Sequence, residues 1–96
     1  MRRNGLTGVE IHIPPFFQPY TENMTQDYVG GSTIMECLRM LVERFPGLKS
    51  RLFNTEDRVR RELIIYLNKS QIHPNEFTRP VADGDELFIA HVINGG

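Results

Sequence analysis

Cysteine occurs once in this 96-residue chain, so Cys37 has no internal disulfide partner and no cysteine cluster can hold a metal. Neither sign of charge is in excess. Eleven basic and twelve acidic residues leave a formal charge of −1, which argues against a general nucleic-acid binder or a polybasic membrane module. Apolar runs are short, and none approaches the roughly 20 residues that span a bilayer. The basic opening MRRNGLTG has no apolar stretch behind it, so no secretory signal is expected and the expected location is the cytoplasm. A glycine-rich phosphate loop is lacking too, since Gly30-Gly31 is not followed by a lysine. Histidine is sparse: His12, His73 and His91 lie on three separate segments, none at the i, i+4 spacing of a helical metal site. No bound metal is expected. One domain of this size buries about 60–65% of its unfolded surface, which leaves little room for a deep catalytic pocket, and an autonomous enzyme is not expected.

What is present is a clear order of elements. Residues 1–8 read as a frayed, flexible leader. Val9-Glu10-Ile11-His12-Ile13 alternates apolar and polar, the period of a half-buried strand, and sets Val9, Ile11 and Ile13 toward a core. His12 then points outward as a solvated residue. Pro14 and Pro15 stop the strand. Phe16–Tyr20 reads as a packed connection, and a second strand is expected from about Asn23 to Val29. Thr33 followed by Glu36 is a capping box that starts a helix. Ile34, Cys37, Leu38, Leu41, Val42 and Phe45 fall on one helical face, and Pro46-Gly47 ends it. Leu48 and Leu52 suggest a further helical turn. Leu63–Leu67 is a continuously apolar, β-rich run, read as a strand covered on both faces or covered by a partner. Asn68-Lys69-Ser70 turns the chain, and Gln71–Val81 holds little pattern. Asp83-Gly84-Asp85 is a tight turn before a last strand over Glu86–Ile93. One amphipathic helix covering one face of a sheet gives an α+β domain over residues 9–93.

Few residues suggest chemistry of their own. Cys37 sits on the apolar helix face, where a free cysteine behaves as a small hydrophobe. Asp83 and Asp85 read as turn residues rather than a carboxylate pair. Arg58, Arg60 and Arg61 read as a solvated connector, with docking of an acidic partner as the alternative. The end of the chain is distinctive: Gly95-Gly96 follows a strand, carries no side chains, and can thread a narrow channel to present a carboxylate. Residues 94–96 read as a flexible tail.

Several motifs occur in an order that has a family counterpart. DGDELFIAHVINGG, the Thr33/Glu36 helix, Phe45-Pro46-Gly47-Leu48 and the run ending Ile65-Tyr66-Leu67-Asn68 together resemble the sulfur-carrier family with the ubiquitin-like β-grasp fold. That group includes the molybdopterin synthase small subunit, the thiamine-pathway carrier, cysteine-type carriers and small archaeal modifiers. IPPFFQPYT and VRRELIIYLN look more like the cysteine-type carriers and the archaeal modifiers. The resemblance implies a mixed four- to five-stranded sheet packed on one main helix.

It also implies a mechanism. An ATP-dependent activating enzyme adenylates the Gly96 carboxylate, a sulfur donor displaces AMP, and the resulting thiocarboxylate donates sulfur to a biosynthetic acceptor through a sulfur-accepting synthase. Gly95 and Gly96 give access, with Val92, Ile93 and Asn94 at the channel mouth. Phe88, Ala90 and Tyr66 would form an apolar docking patch on the uncovered sheet face, unless Phe88 packs on residues 16–20. No cofactor is bound, ATP being used by the activating enzyme. The alternatives are a ubiquitin-like modifier joined through Gly96 to lysines, and a binding module that ignores its tail.

Overall fold

The computed structural model describes residues 8–92. The expected leader, apart from Gly8, and Ile93, Asn94, Gly95 and Gly96 lie outside the described residues.

Strand β1, Val9–His12, follows the alternation read from its residues. Val9, Ile11 and Ile13 are buried, while Glu10 and His12 face the other side. The chain beyond winds into a 3₁₀ turn over Pro15–Tyr20 and buries Phe17. Strand β2, Gln26–Val29, starts later than expected. Glu22 and Asn23 adopt left-handed φ values of 56° and 65°, a conformation no strand can include.

Helix α1, Ile34–Arg44, begins at the expected cap. Thr33 Oγ1 accepts from Glu36 N at 3.1 Å, and Glu36 Oε1 accepts from Ser32 N at 2.7 Å, one residue upstream of the usual capping-box donor. The next free amides, Ile34 N and Met35 N, donate to the carbonyls of Arg79 and Phe77, which ties the helix start to the loop before the last strand. Ile34, Cys37, Leu38 and Leu41 are fully buried; Val42 is half-buried at the edge of the same face. At Gly31 a Cβ would sit 2.8 Å from Cys37 N and 2.9 Å from its Sγ, so the loop can lie flush on the helix only without a side chain. Phe45 caps the helix, a 3₁₀ turn follows over Pro46–Leu48, and helix α2, Lys49–Leu52, sets Leu48 and Leu52 beneath α1.

Strand β3, Leu63–Leu67, is not covered on both faces. Leu63, Ile65 and Leu67 are buried, whereas Ile64 and Tyr66 are half-buried on the opposite side. The segment expected to hold little pattern contains strand β4, Ser70–Ile72, and a 3₁₀ turn over Pro74–Glu76. Strand β5, Glu86–His91, places Leu87 and Ile89 inward.

The sheet order is β2-β1-β5-β3-β4, with β1 and β5 parallel and every other pair antiparallel. The last strand therefore occupies the centre. One sheet face packs on α1 and α2, and the other carries no helix among the described residues, the β-grasp arrangement implied by the motifs. At the edge of the packed face the buried Asp27 of β2 lies 2.7 Å from Arg44 Nε at the end of α1. No helix among the described residues is long and apolar enough to cross a membrane.

Candidate functional site

The open sheet face is built by the alternate residues of each strand, those between the buried ones. Cross-strand register sets Phe88 opposite Tyr66 and Ala90 opposite Ile64, and all four are half-buried. These residues form an apolar ribbon along the centre of the face. The structure thus brings Phe88, Ala90 and Tyr66 together as expected and adds Ile64, which the continuous apolar run had hidden. The ribbon points toward Val92, which is 40% exposed and whose amide donates to the Glu62 carbonyl at 2.7 Å. That bond carries the sheet pairing one residue past β5. Val92 also lines a shallow groove of about 330 Å³ with Ile64, Ile72, His73 and Phe77. The remaining tail residues named from the sequence, Ile93 to Gly96, lie outside the described residues.

The aromatic partner of Phe88 is on β1 and not among residues 16–20. The Phe88 ring stacks on His12 with centroids 4.1 Å apart and planes 5° from parallel, while Phe16 meets Phe17 and His91 edge-on. His12 is therefore half-buried rather than solvated. Its Nε2 lies 2.9 Å from Glu86 Oε1 and 3.7 Å from Glu10 Oε2. Sequence reasoning missed this group. Glu10 and His12 share a strand face by simple alternation, but Glu86 joins them only through the parallel pairing of β1 with β5.

The remaining candidates are structural. Cys37 is buried, and desolvation pushes its thiol up to about 11, which removes it as a nucleophile near neutral pH. Asp85 accepts from Ala82 N at 2.9 Å and belongs to its turn. In the basic connector, Arg60 Nε lies 2.8 Å from Glu62 Oε2, and that hydrogen bond holds the Glu62 carboxyl below its ordinary range.

Residues 18–96 match the ThiS family. No curated protein matches the chain. Among solved structures, a chain of the Amycolatopsis orientalis BexX/CysO complex is 26% identical, with 93% of this chain and 100% of that one covered and a TM-score of 0.80. Mycobacterium tuberculosis CysO is 22% identical over 90% of this chain and 100% of its own, at 0.79. The small archaeal modifier protein 1 of Methanosarcina acetivorans is 20% identical over 96% and 100%, also at 0.79. The last two likenesses are likenesses of fold.

Proposed function

Because the chain belongs to the ThiS family and is a ubiquitin-like sulfur carrier, we propose that it works through a thiocarboxylate on Gly96. The supporting observation is that the family match runs through residue 96, so it includes the Gly-Gly end. In this reading the Gly96 carboxylate attacks the α-phosphate of ATP within an activating enzyme, and pyrophosphate leaves. A sulfur donor then attacks the acyl carbon of the mixed anhydride and AMP departs. Without side chains, Gly95 and Gly96 reach the narrow site where both steps occur. Asn94, Ile93 and Val92 fill its mouth, while Phe88, Ala90, Tyr66 and Ile64 dock the body of the domain.

The partners are one adenylating enzyme and one sulfur-accepting synthase, and the carrier acts in the cytoplasm, where ATP is available. ATP belongs to the activating enzyme; the carrier holds no organic cofactor and is not an enzyme. The recipient belongs to the class of biosynthetic acceptors served by the cysteine-type, molybdopterin or thiamine carriers. The BexX/CysO structure supports the reading that such a domain meets its partner as a folded body.

The test is intact-protein mass spectrometry after incubation with ATP, sulfide and an activating enzyme of the same organism. One oxygen-to-sulfur exchange localised to Gly96 is expected. An unchanged mass with every activating enzyme of that cell rejects the proposal. The likeness to archaeal modifier proteins favours a second reading, in which the activated Gly96 forms an amide with a lysine of a target. A ladder of tagged conjugates that disappears on deletion of Gly95-Gly96 would identify it.

A further inference from the structure

We propose that Glu10, His12 and Glu86 form a binding site for one zinc ion on the open face of the sheet. The three side chains come from neighbouring strands whose parallel pairing sets Glu10 beside Glu86 and His12 beside Phe88. One donor atom from each lies within 4.8 Å of the others.

The cluster has more acceptors than donors. A neutral imidazole whose Nε2 carries its proton can give that proton to one carboxylate only. Glu86 Oε1 receives it at 2.9 Å, and Glu10 Oε2, at 3.7 Å from the same nitrogen, is left facing a second carboxylate. A divalent cation in place of the proton satisfies all three groups at once and neutralises both carboxylates.

The spacing suits zinc. Bonds of about 2.0–2.2 Å to nitrogen and oxygen in a tetrahedral shell hold neighbouring donor atoms roughly 3.3–3.5 Å apart. The two distances from His12 Nε2, 2.9 and 3.7 Å, bracket that separation. The donors also stand on backbone already fixed by sheet pairing, and the stack on Phe88 holds the imidazole plane. One imidazole with two carboxylates is a borderline donor set that suits zinc better than calcium or magnesium. Three protein ligands leave a fourth position for water or for a donor from a docked protein. None of this depends on the thiocarboxylate reading.

The experiment is a zinc titration of the untagged full chain against a competing chromophoric chelator, with cobalt(II) absorption reporting the ligand field. One equivalent is expected, and His12→Asn, Glu10→Gln and Glu86→Gln should each weaken binding by at least about tenfold. The variant lacking His73 and His91 should bind like the parent. Circular dichroism checks that each variant folds, and the two near-isosteric glutamine variants keep the test open if His12→Asn does not. In NMR the His12 ring resonances should move first. No binding by the parent chain, undiminished binding in the glutamine variants, or loss confined to the variant lacking His73 and His91 would overturn the site and leave an ordinary hydrogen-bonded cluster.

Discussion

Asn68 and Asp85 are joined side chain to side chain across the end of the sheet, with Asn68 Nδ2 donating to Asp85 Oδ1 at 3.3 Å. Each also accepts from a backbone amide, Asn68 across the strands and Asp85 within its own turn. Asn68 Oδ1 accepts from Glu86 N at 3.0 Å, and Asp85 Oδ2 accepts from Ala82 N at 2.9 Å. Asn68 itself adopts a left-handed φ of 57°, which asparagine tolerates better than most residues. The asparagine after β3 and the second aspartate of Asp-Gly-Asp are thus parts of one device that starts β5 in register.

Asn68→Gly keeps the backbone conformation and deletes the side-chain bonds, so its cost isolates them. Asn68→Gly and Asp85→Ala should each destabilise by about 1–2 kcal/mol in urea unfolding. The double variant should cost less than the sum, by roughly 0.5–1 kcal/mol of coupling. Strict additivity would show that the two side chains act independently.

Asp27 is buried, and Arg44 Nε stands 2.7 Å from its Oδ2. Arg44→Ala leaves that carboxylate facing the core edge without its cation. Because the Arg44 side chain is 55% exposed, the expected loss is about 1–2 kcal/mol, below the 3–5 typical of a fully buried pair. Thermal unfolding at low and high salt checks it, and Lys at position 44 should recover only part of the loss.

Burial raises the Cys37 thiol from its ordinary 9.0 to about 11; a backbone hydrogen bond from Gly31 opposes the shift, and the charges of Glu36 and Asp85 add to it. The unfolded chain therefore gives up this proton first. Above about pH 9 it binds fewer protons than the native state, and stability falls as pH rises until the native thiol ionises as well. The slope is at most about 1.4 kcal/mol per pH unit, roughly 2–3 kcal/mol over the window. Cys37→Ala should flatten this part of the stability–pH curve while costing some packing energy at every pH. In the native protein the thiol should resist alkylation until denaturant is added.

Phe88 lies on the central strand β5, opposite Tyr66 in the apolar ribbon. On the proposed function, in which this face docks an activating enzyme, Phe88→Ala should raise that enzyme's KM for the protein by about tenfold or more, with kcat little changed, since aromatic anchors carry much of a docking energy. Equal loss in kcat would move Phe88 from docking to positioning of the tail.

The helix cap, the β1 alternation and the Asp-Gly-Asp turn were legible in the sequence because each is decided within a few residues. β4 was not. It has three residues with one inward apolar side chain, Ile72, and exists because Ile72 pairs with Ile65 of β3. The outward places of Ile64 and Tyr66 were hidden for another reason: five apolar residues in succession carry no readable period. Of the candidate face, the neighbouring places of Phe88, Ala90 and Tyr66 could be read from alternation and strand order. The meeting of His12 with Glu86 could not, since 74 residues separate them and only the β1–β5 register joins them.

That same register governs how the domain carries load. β5 lies between β1 and β3 and runs parallel to β1, so a pull on Val92 resisted at the start of β1 strains their hydrogen bonds side by side rather than in succession. Shear of that kind must break the whole row before the strands slip. A partner that grips and drags the tail will tend to move the domain as one rigid piece instead of unravelling it from its end.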